Sequence, residues 1–287
     1  MHVPFRLVDV FAEAPFGGNQ LCVVPEVPLG LDDETMQALA REIGFSETTF
    51  VTAVRPEGYD IRIFTPEVEL PFAGHPTLGT AFTLAREELI GSETVQHCEA
   101  GEIPVRIDLN AGRAVMQQLP PVFGREVDDR RAVAAAAGLE IGDLVDGLPV
   151  VPVSTGIPHL MVPVVDDATL RRATRDDRGC ARVCASADDA ESLYLFVVRG
   201  PGDIRARMFD RFPTIGEDPA TGSAAGPLAA YLATRGLAGL PGTALIAQGE
   251  QTGRPSFLHV EVAREGGDWL LEVGGGVRPM GAGAFEL

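Results

Sequence analysis

Lysine is absent from this chain, and all 23 of its basic residues are arginine. Without a lysine amine there is no Schiff base, no lysine general base and no ordinary phosphate-binding P-loop. Positive charge is short altogether: 41 acidic residues oppose the arginines, for a formal net charge of −18. Phosphate backbones need local basic surface, so this composition argues against a nucleic-acid partner and for an acidic, solubilising surface. Cysteine is scarce, with four in 287 residues, too few for a disulfide framework in a chain of this length. Cys180 and Cys184 are spaced to share a helix face, but no histidine lies near them in sequence to complete a zinc site. No run approaches the ~18 apolar residues of a membrane helix, and Met1-His2-Val3-Pro4-Phe5-Arg6 lacks the basic-then-apolar pattern of a leader. The expectation is a cytoplasmic protein with no membrane partner.

What is present is a turn-rich globular composition, 45% hydrophobic with 33 glycines and 22 prolines, and enough length for two cores. Two heptapeptides match each other: His75-Pro76-Thr77-Leu78-Gly79-Thr80-Ala81 and Asp218-Pro219-Ala220-Thr221-Gly222-Ser223-Ala224. They lie 143 positions apart (75 to 218), half the chain. The same offset carries Asp60-Ile61-Arg62 onto Asp203-Ile204-Arg205. Two matches in one register read as a duplicated domain. The boundary is expected near Pro120-Pro121, giving residues 1–121 and 122–287, with the last strand free to return to the first domain.

Local patterns fill in this frame. Arg6–Phe11 alternates as a strand, Pro15–Asn19 is a turn, and Asp32–Ile43 has the apolar spacing of a helix capped by Asp32 or Asp33 and ended by Gly44. Phe45–Val54 has strand composition and sets Glu47 on one face with Phe45, Thr49 and Val51; the plainer reading is an edge strand with Glu47 in water. Tyr59–Thr65, Arg113–Leu119, Val150–Ser154, Leu193–Val198, Phe257–Val262 and Trp269–Val273 read as further strands, and Asp128–Leu139 as a helix. Thr155–Val162 mirrors Gly18–Val24 as a glycine-containing turn into an apolar strand. Asp166–Glu191 mixes Asp and Arg and reads as a solvated helical excursion. The segments after the heptapeptides, Thr80–Ala85 and Ala224–Leu232, are apolar on every side, so each repeat reads as strands wrapped around one buried helix.

Proline extends the residue before it and suits the start of a helix. His75 and Asp218 are therefore expected at the thresholds of the two buried helices, where the dipole favours an ionised aspartate and a neutral histidine. The helix could start at the proline or after the glycine. Gly79 and Gly222 would let another molecule approach the first-turn amides, and Thr80 and Ser223 would add hydroxyl donors. For one copy alone the simpler account is an N-cap aspartate or a turn histidine. Two titratable groups on duplicated helix ends favour proton transfer.

Five strings carry a family resemblance: Gly18-Asn19, Ser46–Val51, Phe72–Gly79, Gly216–Ala224 and Gly253-Arg254-Pro255-Ser256. Together they resemble the PhzF-like isomerases of phenazine biosynthesis, over essentially the whole chain. The resemblance implies an α+β, diaminopimelate-epimerase-like fold of two pseudo-symmetric domains, each a β-barrel-like sheet around a central buried helix, with a cleft site and a homodimer. It implies Glu47 as general acid/base, His75 and Asp218 as its catalytic companions, and Asn19, Gly74, Gly222 and Ser223 as binding groups. The reaction implied is a cofactor-free proton shift on a small, carboxylate-bearing substrate such as a dihydro-hydroxyanthranilate, with no metal. A carboxylate enclosed by strands is desolvated, which raises its pKa toward neutrality and suits it to take and return a proton. Amino-acid racemases of this fold use two cysteines at the helix ends; His75 and Asp218 stand there instead. Without cysteine bases, racemisation is the alternative, and a non-catalytic metabolite-binding protein is the third reading. One departure is Gln20 after Asn19, where the family commonly has proline.

Overall fold

The alternation near the start of the chain belongs to β1 (His2–Val10), which turns into β2 (Asn19–Val24). Then follow α1 (Asp33–Ile43), β3 (Glu47–Arg55), β4 (Gly58–Phe64), the two-residue β5 (Glu69–Leu70), α2 (Gly74–Arg86), β6 (Glu93–Cys98), β7 (Gly101–Asp108) and β8 (Arg113–Gln118). The next stretch contains β9 (Val122–Phe123), α3 (Arg130–Ala136), β10 (Val151–Ser154), β11 (Pro158–Pro163), α4 (Asp167–Arg172), α5 (Asp177–Ser186) and β12 (Ser192–Gly200). It continues through β13 (Asp203–Asp210), the short β14 (Glu217–Asp218), α6 (Gly222–Thr234), β15 (Gly242–Gln248), β16 (Ser256–Glu265) and the long β17 (Asp268–Glu286). This computed structural model describes residues 1–287. Met1–Gln118 with Gly274–Leu287 form one unit, and Leu119–Val273 the other.

In the first unit β17 pairs with β1, β1 with β2, β2 with β3, β3 with β4, β4 with β6, β6 with β7, β7 with β8, and β8 with β17 again. The circuit is a closed eight-stranded barrel, and closure removes its edges. Inside runs α2, buried from Gly74 to Ala85. Its threonines satisfy their hydroxyls on the helix itself, Thr77 to Ala73 O (2.8 Å) and Thr83 to Gly79 O (2.7 Å), or on the wall, Thr80 with Thr49 of β3 (2.8 Å). That is how a helix with three threonines sits in an apolar barrel.

The second unit repeats the order. From β9 through β10, β11, β12, β13 and β15 to β16 the ladders run antiparallel, antiparallel, parallel, antiparallel, parallel, antiparallel. The run from β17 through β1, β2, β3, β4 and β6 to β7 is the same. The central helix here is α6, packed on β10, β11 and β16. The fold is two pseudo-symmetric barrels, each around a buried helix.

The structural register differs from the sequence register. In both units an arginine lies over a phenylalanine two residues on and grips a glutamate of the next short strand: Arg62 with Phe64 and Glu69, Arg207 with Phe209 and Glu217. The arginines are 145 apart (62 to 207) and the helix starts 148 apart (74 to 222). The Asp-Ile-Arg strings are thus two residues out of register and the heptapeptides five. His75 is the second residue of α2, whereas Asp218 lies in β14, before α6 begins at Gly222. Neither expected start, at the proline or after the glycine, is met: α2 starts two residues ahead of Pro76, and α6 at the glycine itself, Gly222.

Further helices cover the outer faces. The apolar side of α1 joins Val24, Phe50 and Phe64 in one cluster. Residues 166–191 are not a solvated excursion: Cys180, Val183 and Cys184 of α5 pack with Val133 and Ala134 of α3 and with Leu160, Leu193 and Leu195. The charge-rich sequence disguised a helix whose one buried stripe is made of small residues. No helix is long and apolar enough to cross a membrane.

Candidate active site

In the first unit, Gly18 turns the chain from β1 to β2 with φ of 68°; a Cβ there would lie 2.3 Å from the Val10 carbonyl oxygen. Only glycine fits that turn, and it delivers Asn19 to the start of β2, facing α2. Ser46, just before β3, donates to Asn19 Oδ1 (3.1 Å), and Asn19 Nδ2 donates to His75 Nδ1 (3.1 Å). An acceptor at Nδ1 assigns the His75 proton to Nε2. Nε2 lies 3.4 Å from Glu47 Oε2, a contact without hydrogen-bond geometry. Burial pushes the His75 imidazolium down to about 3, with the Gln20 backbone acting in the opposite direction. His75 is therefore a neutral imidazole beside a carboxylate.

Glu47 opens β3, which lies between β2 and β4, so it is not on an edge in water. Its side chain is 14% exposed. The ladders identify its counterpart: Thr48 pairs with Phe64 and Leu193 with Phe209, so the place of Glu47 is held in the second unit by Ser192. The fold is duplicated, but the carboxylate occurs in one copy only. Gln20, where the resemblance leads one to expect proline, is a regular strand residue paired with Asp9.

Gly79 does not open the helix to a ligand. It sits in the second turn of α2, where a Cβ would meet Leu21 and Val10 side-chain carbons at 2.6 and 2.8 Å, so its role is close packing of helix on barrel. The helix start is Gly74, where the N-cap residue Ala73 has no polar side chain to cap it; α6 starts at Gly222, and its N-cap residue Thr221 makes no capping bond with its side chain.

In the second unit, Asp218 is buried and accepts from Thr221 Oγ1 (2.6 Å). Gln248 of β15 steadies the same corner, donating to the Asp218 carbonyl (2.8 Å) and to Thr221 Oγ1 (3.0 Å), while Tyr194 donates to its Oε1 (3.0 Å). Ser223, second in α6, bonds to His159 Nε2 (2.9 Å), and His159 Nδ1 to Ser192 Oγ (2.8 Å). Burial depresses His159 to about 3, as it does His75. His159 and Ser192 were not among the residues expected from sequence; the signal available was the Gly-Ile-Pro-His turn that mirrors the Gly-Asn turn. Asp210, opposite Ser192 on the ladder, is also buried, and desolvation foremost raises it to about 8.

Cys180 and Cys184 are apolar core, their thiols pushed up chiefly by burial, Cys180 to about 11. No group of three or more His, Cys, Asp or Glu side chains is arranged to hold a metal ion.

The family model for phenazine biosynthesis-like proteins, PhzC-PhzF, matches residues 8–275. This chain belongs to the PhzF-like family. A trans-2,3-dihydro-3-hydroxyanthranilate isomerase of Pseudomonas aeruginosa is 35% identical to it over 272 residues, 91% of each chain. Among solved PhzF-like structures, a phenazine biosynthesis protein of Bacillus anthracis matches with a TM-score of 0.89 at 25% identity, covering both chains fully. A predicted epimerase of Pseudomonas aeruginosa matches with a TM-score of 0.86 at 35% identity over 99% of each. The chain is a PhzF-like isomerase acting on a small molecule.

Proposed function

We propose that this PhzF-like protein is a cofactor-independent isomerase that moves a proton on a small, cyclic, carboxylate-bearing substrate of the dihydro-hydroxyanthranilate kind. Glu47 is the general acid/base. The observation that carries this reading is the His75 ring, held neutral by burial, with Nε2 3.4 Å from the Glu47 carboxylate. A neutral imidazole beside the carboxylate leaves it able to act as a base, where an imidazolium would quench it. Asp218 is the second polar group of the chemistry. Asn19, Gly74, Gly222 and Ser223 hold the substrate, the helix-start amides taking its carboxylate. The protein works in the cytoplasm as a homodimer.

Racemisation by His75 against Glu47 is less favoured. An imidazole whose conjugate acid lies near 3 is a weak base at neutral pH.

The test is solvent deuterium incorporation into trans-2,3-dihydro-3-hydroxyanthranilate and a panel of cyclic amino-carboxylates. Glu47→Gln should lower exchange by at least about 10³-fold, at the upper part of the range for general acid–base groups. Undiminished exchange in that variant would remove Glu47 from the mechanism. Loss of optical activity in an amino-acid panel would favour racemisation, and tight binding without exchange would make the site non-catalytic.

A further inference from the structure

The chemistry assigned to Glu47 leaves one buried histidine unused. His159, second in β11, is 1% exposed and lies between two hydroxyls: Ser192 Oγ at 2.8 Å from Nδ1 and Ser223 Oγ at 2.9 Å from Nε2. A neutral imidazole carries one N–H and one lone pair, while each hydroxyl can donate or accept, so two arrangements satisfy the distances. They differ in what Ser223 offers at the start of α6. If Nδ1 carries the proton, Ser223 spends its hydrogen on His159. If Nε2 carries it, Ser223 accepts from the ring and its own hydrogen is free for a ligand.

Ser192 decides between them. It is fully buried, and His159 is the one hydrogen-bond partner of its hydroxyl. Were Nδ1 the donor, the Ser192 hydrogen would be stranded in the interior with no acceptor, which is the more expensive omission; an oxygen lone pair left unfilled costs less. So Ser192 donates to Nδ1 and Nε2–H donates to Ser223. The first unit has the same one-way order: Ser46 to Asn19, Asn19 to His75 Nδ1, and His75 Nε2–H outward. In each unit a serine, Ser46 just before β3 and Ser192 at the start of β12, drives a line of donors that runs to the second residue of the central helix.

We propose that Ser192 and His159 are positioning residues that fix the Ser223 hydroxyl as a hydrogen-bond donor, directed at an anionic or developing-anionic oxygen of the substrate. The assignment of Ser223 to substrate binding rests on the function proposed above; the donor order within the chain does not.

The experiment therefore has two readouts. Nitrogen-15 NMR of the whole protein's histidine rings between pH 5 and 8 reports the tautomer directly, with His159 assigned by loss of its signals in His159→Gln. The expected spectrum has an unprotonated Nδ1 and a protonated Nε2; Nδ1–H as the dominant form overturns the proposal whatever the enzyme does. Ser192→Ala, a mild truncation, should let Nδ1–H become populated, and an unchanged tautomer there would also overturn it. The second readout is the exchange assay that measures Glu47. His159→Gln, whose amide can still donate toward Ser223, should keep KM within about threefold, whereas His159→Leu should raise it about tenfold to a hundredfold, the scale of a lost hydrogen bond to a charged group. That difference should vanish in a Ser223→Ala background. Equal effects of Gln and Leu, with normal melting temperatures, would refute the positioning role. A correct tautomer with no change in KM would place the fault in the substrate assignment instead.

Discussion

At the residue scale, three buried groups give the protein opposed responses to pH. His75 and His159 fold neutral, with folded values of about 3 against about 6.5 unfolded. Each loses stability as pH falls below about 6.5, because the unfolded chain takes up the proton that the folded one refuses, at roughly 1.4 kcal/mol per pH unit per histidine. Asp210 behaves oppositely: its folded value is raised to about 8, so its contribution is whole below about 4 and is lost as pH rises toward 8. Asp210→Asn should accordingly raise the melting temperature at pH 8 and leave it nearly unchanged at pH 4; a shift of equal size at both would refute the assignment. The wild type should melt several degrees lower at pH 5 than at pH 7, and His159→Gln should flatten that slope. Of these residues, His75 was legible in the sequence because it stands beside a proline in a repeated string. Glu47 was readable only as a carboxylate sharing a strand face with Phe45, Thr49 and Val51, for which an edge in water was the plainer account; the family resemblance singled it out. His159 was not, because its partners Ser192 and Ser223 are 33 and 64 residues away and only the β11–β12 ladder and the start of α6 bring them together.

At the scale of elements, the Arg–Phe–Glu clasp ties each fourth long strand to the short strand before the central helix. The two copies are unequal. Arg207 is 7% exposed and also donates to the Leu170 and Ala173 carbonyls at the end of α4, both at 2.8 Å. Arg62 is 27% exposed and shares its charge with the exposed Asp33. Removing Arg207 would strand Glu217 and the α4 carbonyls, so Arg207→Met should destabilise by roughly 3–5 kcal/mol, against about 1 kcal/mol for Arg62→Met. Urea titrations of both variants measure the difference, and equal losses would refute the argument. Gly79→Ala should lower stability by roughly 1–3 kcal/mol through overpacking against Leu21 and Val10. Strands and central helices were readable because their patterns are local: alternation for β1 and β3, an apolar circumference for α2 and α6. The register of the repeat was not. Pro-x-x-Gly recurs, but α2 begins before its copy and α6 at the glycine that ends its own, since what aligns the units is the arginine clasp and the strand ladders.

At the scale of the whole molecule, 41 acidic and 23 basic residues leave a charge of −18 that repels itself in the folded state. Added salt screens it, the Debye length falling from about 30 Å at 0.01 M to about 3 Å at 1 M. The melting temperature at pH 7.5 should therefore rise between 0.01 and 0.5 M sodium chloride, and a flat or falling curve would show the acidic surface to be locally neutralised. Composition alone made this legible, as did the two-barrel plan once the repeat was seen. The return of the chain to its first unit was legible only as an allowance for the last strand, because nothing local distinguishes Gly274–Glu286 from any other strand.

That return has a consequence in time. Synthesis runs from the amino end, and the first barrel lacks its closing strand until residues 274–286 emerge, after the whole of Leu119–Val273 has been made. At ordinary translation speeds the delay is on the order of 10 s, during which β1 and β8 both present open edges on the nascent chain. The second barrel has no such wait. Leu287 N already donates to Met1 O at 2.9 Å, so the ends can be joined and the chain reopened at Gly274. In that permuted order the first barrel should close before the second is made, and co-translational protease protection should appear first in residues 1–118; protection in the original order would show that closure does not limit folding.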